Sequence, residues 1–364
     1  MNIVIVIPTL SIAGAEKLAV NLANEYSKNH IVTLISIFPS SKSNLKNDIM
    51  DNVNLVELNI KNNLIGKFKA ISKLYFTLNN IEKIDVLHTH LTGLLYSSLY
   101  ILTEKIKVFH TIHNIAKNDA NKINITANRF LFKRKIVTPI SISNKVKDSV
   151  DTLYGVNSLL IPNGSIQIKP TNKISEVKNE ILILKNEINA TKVICNIARI
   201  TKQKNHKRLI QCAKDNPDIL FICLGGISEN EQGYVNVILD EIRNTANIYY
   251  IGVVNNISDY IISSDAVILT SDFEGLPISF LESMSAGKPC ISTPVGGMKD
   301  ILDDSIGFLS ENKSSDALNY QILKWKNMTS HDIYDIYQNN IHRYKENFSM
   351  EKCASLYLDC FKKD

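Results

Sequence analysis

The segment Ser271-Asp-Phe-Glu-Gly-Leu-Pro-Ile-Ser-Phe-Leu-Glu282, continued by Ala286-Gly-Lys-Pro289, decides how the rest of the chain is read. The apolar run Ala266-Val-Ile-Leu-Thr270 delivers the backbone to a Gly-Leu-Pro turn, and a helical pattern opens at Ile278. Strand, glycine turn and helix start, in that order, make one unit of a parallel α/β sheet. A helix N-terminus at a strand end offers free backbone N–H groups and a positive dipole to an anion. Glu274 and Glu282 flank that start, so the segment also presents two acceptors for hydroxyl groups, and sugar hydroxyls are the natural candidates. A capped helix with two solvated acids is the simpler alternative.

Outward from this unit the alternation repeats. Runs at 3–7, 31–37, 53–58, 85–90, 107–112, 137–142 and 157–161 predict strands, with helical patterns at 15–28, 63–81, 92–104, 122–134 and 144–154. The pattern pauses at Ile161-Pro-Asn-Gly164, a turn signature, and a polar stretch rich in Lys, Asn and Glu follows. It restarts with strands at 192–198, 218–224, 247–251, 265–269, 289–292 and 306–309. The matching helices fall at 206–214, 231–244, 256–263, 278–287, 314–326 and 331–345. The fold class is therefore α/β, with doubly wound domains over 1–165 and 191–345 and a linker over 166–190. In such sheets ligands bind at the C-terminal strand ends. A last helical stretch, 349–362, spaces Cys353, Leu356, Tyr357, Cys360 and Phe361 along one face.

The 271–282 segment resembles the Glu-x7-Glu signature of family-four retaining glycosyltransferases, and the resemblance covers nearly the whole chain. It implies the GT-B fold, two Rossmann-like domains facing a cleft, with residues 346–364 crossing back to the first domain. It also implies Glu274 at a donor sugar and Glu282 on the nucleotide ribose, with Gly275, Leu276 and Ser279 in the same donor-binding turn. Arg199 and Lys204, five apart on the loop Ala198-Arg-Ile-Thr-Lys-Gln-Lys-Asn-His-Lys-Arg208, can converge on one anionic group. The family carries the same Arg-x4-Lys pair, which implies that both cations grip the donor diphosphate and take the place of a metal. A solvated basic loop is the alternative; Lys202, His206, Lys207 and Arg208 are read as surface or capping residues. Tyr250-Ile-Gly-Val-Val-Asn-Asn-Ile257 resembles the family's base-reading loop, implying donor contacts at Gly252 and backbone groups and an apolar face from Val253 and Val254; an ordinary strand-turn-helix connection is the alternative. Leu224-Gly225-Gly226 ends another strand but lacks the acidic residue usual in the family.

In the first half, Pro8-Thr-Leu-Ser-Ile-Ala-Gly-Ala-Glu16 joins the first strand to the first helix. The family usually has two glycines there, which implies close backbone approach to the donor phosphates and the acceptor; here Gly14 alone supplies a permissive φ and is the donor-binding candidate, with Ala15 and Glu16 on the acceptor side. Glu16 also fits as a first-turn acid complementing the helix dipole. The loop is not the Gly-x-Gly-x-x-Gly of dinucleotide enzymes. His113, in Thr111-Ile-His-Asn114, stands by resemblance beside the transferred sugar. His88 and His90 share a strand face with no third metal ligand in evidence, and His90 is read as an acceptor contact. No Asp-x-Asp occurs, and no cofactor or metal is expected beyond the nucleotide-sugar co-substrate.

Length and composition agree with about two globular domains: 364 residues, 45% hydrophobic and 21% charged. Residues 1–165 hold 19 Lys and Arg against 11 Asp and Glu, and the remainder holds 22 against 25. A basic first half suits an anionic partner surface such as phospholipid headgroups or a lipid pyrophosphate, and no nucleic-acid module accompanies it. Two clusters mix basic and apolar residues in a way that suits a helix on anionic headgroups. They are Lys61 to Phe76, and Arg129-Phe-Leu-Phe-Lys133-Arg134-Lys135; the second is the preferred membrane candidate. The alternative for each is an amphipathic helix on its own sheet. All six cysteines lie in the second half without a Cys-x-x-Cys pair and read as reduced thiols. Met1 to Ile7 lacks a basic leader region, and no apolar run reaches membrane-spanning length. The expected location is cytoplasmic, peripheral on the inner face of the cell membrane.

Together these readings predict a retaining glycosyltransferase. It would move a hexose or N-acetylhexosamine from a nucleoside-diphosphate sugar, UDP favoured, to a lipid-linked or saccharide acceptor in surface polysaccharide synthesis. A nucleotide-sugar 2-epimerase or hydrolase on the same shell and a non-enzymatic membrane scaffold are the alternatives.

Overall fold

β-branched runs flanked by helical patterns form two sheets in which every pairing is parallel. The structure, a computed structural model, describes residues 1–40, 45–119 and 122–363. The chain divides into two units, Met1–Ser165 with Met350–Asp364, and Ile166–Ser349.

The first unit contains β1 (Asn2–Ile7), β2 (Ile31–Ser36), β3 (Val53–Glu57), β4 (Val86–His90), β5 (Lys107–Ile112), β6 (Thr138–Ser141) and β7 (Leu159–Leu160). They order as β3-β2-β1-β4-β5-β6-β7. Its helices are α1 (Gly14–Tyr26), α2 (Leu64–Asn79), α3 (Gly93–Thr103), α4 (Ala116–Asp119), α5 (Lys122–Lys133) and α6 (Asn144–Tyr154). Ile3 through Ile7 are fully buried, as expected of a central strand covered on both faces. Asn63 caps α2 through the Gly66 amide, and Gly155, at φ 68°, ends α6 in the left-handed region.

The second unit contains β8 (Lys192–Ile197), β9 (Ile219–Leu224), β10 (Ile248–Gly252), β11 (Ala266–Leu269), β12 (Cys290–Ser292) and β13 (Gly307–Leu309), ordered β10-β9-β8-β11-β12-β13. Its helices are α7 (Ile174–Glu187), α8 (His206–Asp215), α9 (Gln232–Arg243), α10 (Ile257–Ser263), α11 (Ile278–Ser285), α12 (Met298–Ile301), α13 (Ser315–Lys326) and α14 (Ser330–Arg343). A π turn, Tyr344–Phe348, precedes α15 (Met350–Lys362), which belongs to the first unit. There Tyr357 and Phe361 join the core of Ile3, Ile5 and Leu34, and Phe361 meets Tyr26 edge-on at 5.8 Å.

The expected linker over 166–190 is corrected. Most of it is α7, whose Val177 and Ile181 are buried with Val193 and Leu220. Thr171 ties the approach to that helix, donating its backbone amide and hydroxyl to Asp259 at 2.7 and 2.5 Å. The Lys, Asn and Glu of this stretch occupy the outward face of a helix whose apolar stripe is narrow, so composition hid the period. All six cysteines are free thiols. Among the described residues no helix is long and apolar enough to cross a membrane.

Candidate active site

Parallel strands end on one edge, so the loops after β8, β9, β10 and β11 gather there in the second unit. Hydrogen bonds stitch these loops together. Ile200 N donates to Gly226 O at 2.8 Å, Gly225 N to Gly252 O at 2.8 Å, and the Tyr250 hydroxyl to Gly225 O at 2.7 Å. Gly225 has φ 139°, and a Cβ there would stand 2.3 Å from Ala198 O, so glycine is required for this approach.

The 199–208 segment grips the loop after β11. Asp272 N donates to Gln203 O at 2.8 Å, Gln203 Nε2 to Phe273 O at 2.9 Å, and Thr270 Oγ1 to Lys204 O at 2.9 Å. Arg208 donates from one guanidinium nitrogen to Thr270 O and from the other to Asp272 Oδ1 at 2.9 Å. Asn205, at φ 50°, caps α8 and also reaches Asp272 Oδ2 at 3.1 Å. The reading of Arg208 and His206 as surface or capping residues is therefore corrected, and the cap is Asn205. The Arg208 side chain is 12% exposed, and His206 is buried, its imidazole pushed down to about 4 by burial and then by Lys204. His206 lies with Leu209, Ile210 and Ala213 on the buried side of α8, whereas Arg208 turns to the loop after β11.

Within this grip Lys204 Nζ lies 2.5 Å from Glu274 Oε1, and the Ser271 hydroxyl donates to the same oxygen at 2.5 Å. The Glu274 side chain is 8% exposed and that of Lys204 is 23% exposed. Arg199 follows β8, is exposed, and makes no ion pair among the described residues. One cation is thus engaged with the buried acid while the other faces solvent, a combination that can turn net positive charge on an incoming anion.

Gly275 and Leu276 carry the chain from Glu274 into α11. The N-cap position, Pro277, offers no side-chain acceptor to the first-turn amides, where Ser279 sits partly exposed. Glu282 lies buried on the same helix. Gly296, which the sequence reading missed, supports this turn from behind. It has φ 50°, and a Cβ on it would fall 2.2 Å from Glu274 O and 2.5 Å from Gly275 O. Its neighbour Gly297 donates to Gly275 O at 2.6 Å. The paired glycines after Pro294-Val295 were the available signal. Gly252 has φ 90° and leads to Val253, 52% exposed. Val254 is partly buried and packs on the Leu220 and Ile222 core.

The first-half candidates sit in the other unit. Gly14 opens α1 in helical backbone and is absent from the positive-φ glycines, so the permissive φ expected of it is corrected; the helix simply starts there. Ala15 is partly buried, and Glu16 is buried, accepting from Thr9 Oγ1 at 3.2 Å. His90 Nδ1 lies 2.9 Å from His113 Nε2, and the His88 ring lies 4.2 Å from that of His90. His88 Nε2 contacts Thr111 Oγ1 at 2.8 Å, which in turn meets the Tyr357 hydroxyl of α15 at 2.9 Å. Burial, with neighbouring histidines, pushes His113 down to about 3 and holds His88 and His90 well below their ordinary value. These rings are neutral at pH 7 and contribute hydrogen bonds rather than charge. Among the described residues no group of three His, Cys, Asp or Glu side chains is placed to hold a metal ion.

Both halves match known family models. Residues 12–165 match Glycosyltransferase Family 4, and residues 179–346 match Glycosyl transferases group 1. The Escherichia coli UDP-Gal:alpha-D-GlcNAc-diphosphoundecaprenol alpha-1,3-galactosyltransferase is 28% identical over 320 residues, 81% of this chain and 80% of that protein. The Escherichia coli O-antigen biosynthesis glycosyltransferase WbnH is 29% identical over 161 residues, 44% of each chain. Among solved structures, Anabaena HepE in complex with UDP and glucose matches with a TM-score of 0.83 over 99% of both chains at 18% identity. Two parallel doubly wound sheets, matched in turn by these two models, make the chain a member of the GT-B glycosyltransferases, family 4 in its first half and group 1 in its second.

Proposed function

We propose that the protein is a retaining glycosyltransferase moving a hexose or N-acetylhexosamine from a nucleoside-diphosphate sugar, UDP favoured, to a lipid-linked or saccharide acceptor in surface polysaccharide synthesis. The observation that carries this reading is the Lys204–Glu274 pair at 2.5 Å, on a sheet edge where Arg199 stands open. Support for the donor and acceptor classes comes from the galactosyltransferase, whose name gives UDP-Gal and an undecaprenol diphosphate, and from HepE, crystallised with UDP and glucose.

In this reading the anomeric C–O bond breaks with its electron pair passing to the diphosphate oxygen, where Arg199 and Lys204 stabilise the developing charge. Glu274 positions the donor sugar through its hydroxyls, and Glu282 holds the ribose. Gly275, Leu276 and Ser279 form the wall of the donor site, and Gly252 with Val253 and Val254 takes the base. The acceptor hydroxyl attacks the face that the diphosphate leaves, and its proton passes to the departing phosphate oxygen. The first unit serves the acceptor side through Ala15, Glu16 and His90, the backbone at Gly14 approaches the donor, and neutral His113 orients the sugar by a hydrogen bond. The cations do the work of a metal, so chelation leaves the rate unchanged.

The test is transfer from a panel of nucleoside-diphosphate sugars to lipid-diphosphate and saccharide acceptors, with the anomeric configuration of the product read by NMR. Lys204→Ala and Glu274→Ala should each abolish transfer in a folded chain, with wild-type rates unchanged by EDTA. Wild-type transfer in both variants would sink the site assignment. Donor turnover at an equal rate without acceptor would favour an epimerase or hydrolase.

A further inference from the structure

α2 departs from the pattern of a surface helix. Gly66, Ala70, Leu74 and Leu78, four residues apart, are buried against the unit, which leaves the opposite face for water. That face carries Leu64, Ile65, Phe68 and Phe76, exposed by 75, 67, 71 and 65%. Neighbouring α3, packed along α2, adds exposed Leu99 and Leu102. Single exposed apolar residues are ordinary, but four large ones on one helix face, with two more on the helix beside it, call for a partner.

The charges around the patch identify that partner. Lys67 and Lys69 flank the apolar face and Lys61 precedes it, Lys73 donates to Leu58 O at 2.9 Å, and residues 58–81 contain no Asp or Glu. An occupant must be apolar where the phenylalanines point and anionic at the rim. A second copy of the chain would set these lysines against one another, which like-charge repulsion opposes. An anionic bilayer supplies both properties, with an acyl boundary for the rings and phosphates for the ammonium groups.

We propose that the outward face of α2 seats the first unit on an anionic lipid surface, with Phe68 and Phe76 entering the headgroup–acyl boundary. The inference goes beyond the proposed reaction and stands on observations independent of it. It also moves the membrane contact away from Arg129, Lys133, Arg134 and Lys135. These four are exposed, yet Leu131 and Phe132 between them are buried. Arg129 donates to Leu153 O at 2.6 Å, and Arg134 lies over the Phe130 ring at 5.5 Å. That cluster keeps one exposed aromatic ring, so it can add charge but little insertion.

The test is flotation of the full chain with phosphatidylcholine vesicles, and with vesicles in which about one third of the lipid is phosphatidylglycerol, at low and high salt. The chain should float with the anionic vesicles and bind at least about tenfold more weakly to neutral ones or at about 0.5 M salt. Changing Phe68→Ser and Phe76→Ser together should cost at least about tenfold in binding, since two ring burials are lost. Their side chains are exposed, so the melting temperature should hold. Arg134→Gln with Lys135→Gln should cost less than about threefold. The proposal is overturned if the wild type fails to float with anionic vesicles or if the serine pair binds as the wild type does. It is equally overturned if the serine pair dissolves a dimer seen by sedimentation, which would assign the face to a second copy. Transfer to a water-soluble acceptor should be the same in the serine pair, so failure here is separable from failure of the proposed reaction.

Discussion

Replacing Gly296 by alanine puts a methyl group where the turn carrying Glu274 already runs. The new Cβ would lie 2.2 Å from Glu274 O and 2.5 Å from Gly275 O, and both carbonyls must retreat to at least 3.0 Å. Alanine at φ 50° adds a backbone penalty of about 1 kcal/mol. The 2.6 Å hydrogen bond from Gly297 N to Gly275 O is strained or lost with the retreat, about 1 kcal/mol more. The combined destabilisation is about 2–3 kcal/mol. The kinetic effect should be larger, because a misplacement of about 1 Å near reacting groups costs on the order of a hundredfold in rate. Glu274 moves with its carbonyl, so kcat/KM for the donor should fall by about that factor. Thermal melting and donor-dependent transfer kinetics report the two effects separately. Gly233→Ala is the control: nothing lies within 4 Å of a Cβ there, and alanine in α9 should stabilise by about 0.5–1 kcal/mol. Wild-type melting and wild-type kcat/KM in Gly296→Ala would refute the argument that this glycine sets the position of the acid.

Arg208 should prove to position the site without touching the donor. Arg208→Lys cannot make both the Thr270 and Asp272 contacts, so the donor KM should rise about tenfold while kcat falls less, and a mutant with unchanged KM would count against the role. Acid should unfold the protein through its buried histidines. His110 and His206 are held at about 4 in the native state against an ordinary 6.5. A base with a depressed native pKa contributes stability that is present above pH 6.5 and is lost as pH falls toward 4. Each should forfeit about 2 kcal/mol between pH 8 and pH 5, and a melting temperature flat across that range would refute it.

The strand edges of both units were legible because central strands of a parallel sheet are continuous β-branched runs, bounded by glycine and polar turns. The Glu274–Glu282 segment was legible for a related reason: a glycine turn between strand and helix is a local pattern. The same local reasoning failed where an outcome depended on what lay across the fold. α7 looks like linker in sequence because its narrow stripe of Val177 and Ile181 is outnumbered by lysine, asparagine and glutamate. Arg208 looks like a surface or capping residue because nothing in its own neighbourhood names Thr270 and Asp272 as its partners, more than sixty residues away. Gly14 stands where a glycine pair is usual, yet its backbone is ordinary and needs no glycine conformation.

The amino-acid sequence alone determined that the chain folds into two parallel α/β units with acids and cations at the strand-to-helix turns, because hydrophobic periodicity and turn chemistry act over a few residues. Tertiary structure alone decided that Lys204 meets Glu274, that Gly296 and Arg208 hold the turn, and that α2 turns its phenylalanines outward. Each of these depends on which strands become neighbours and which helix face the sheet covers, and long-range packing sets both.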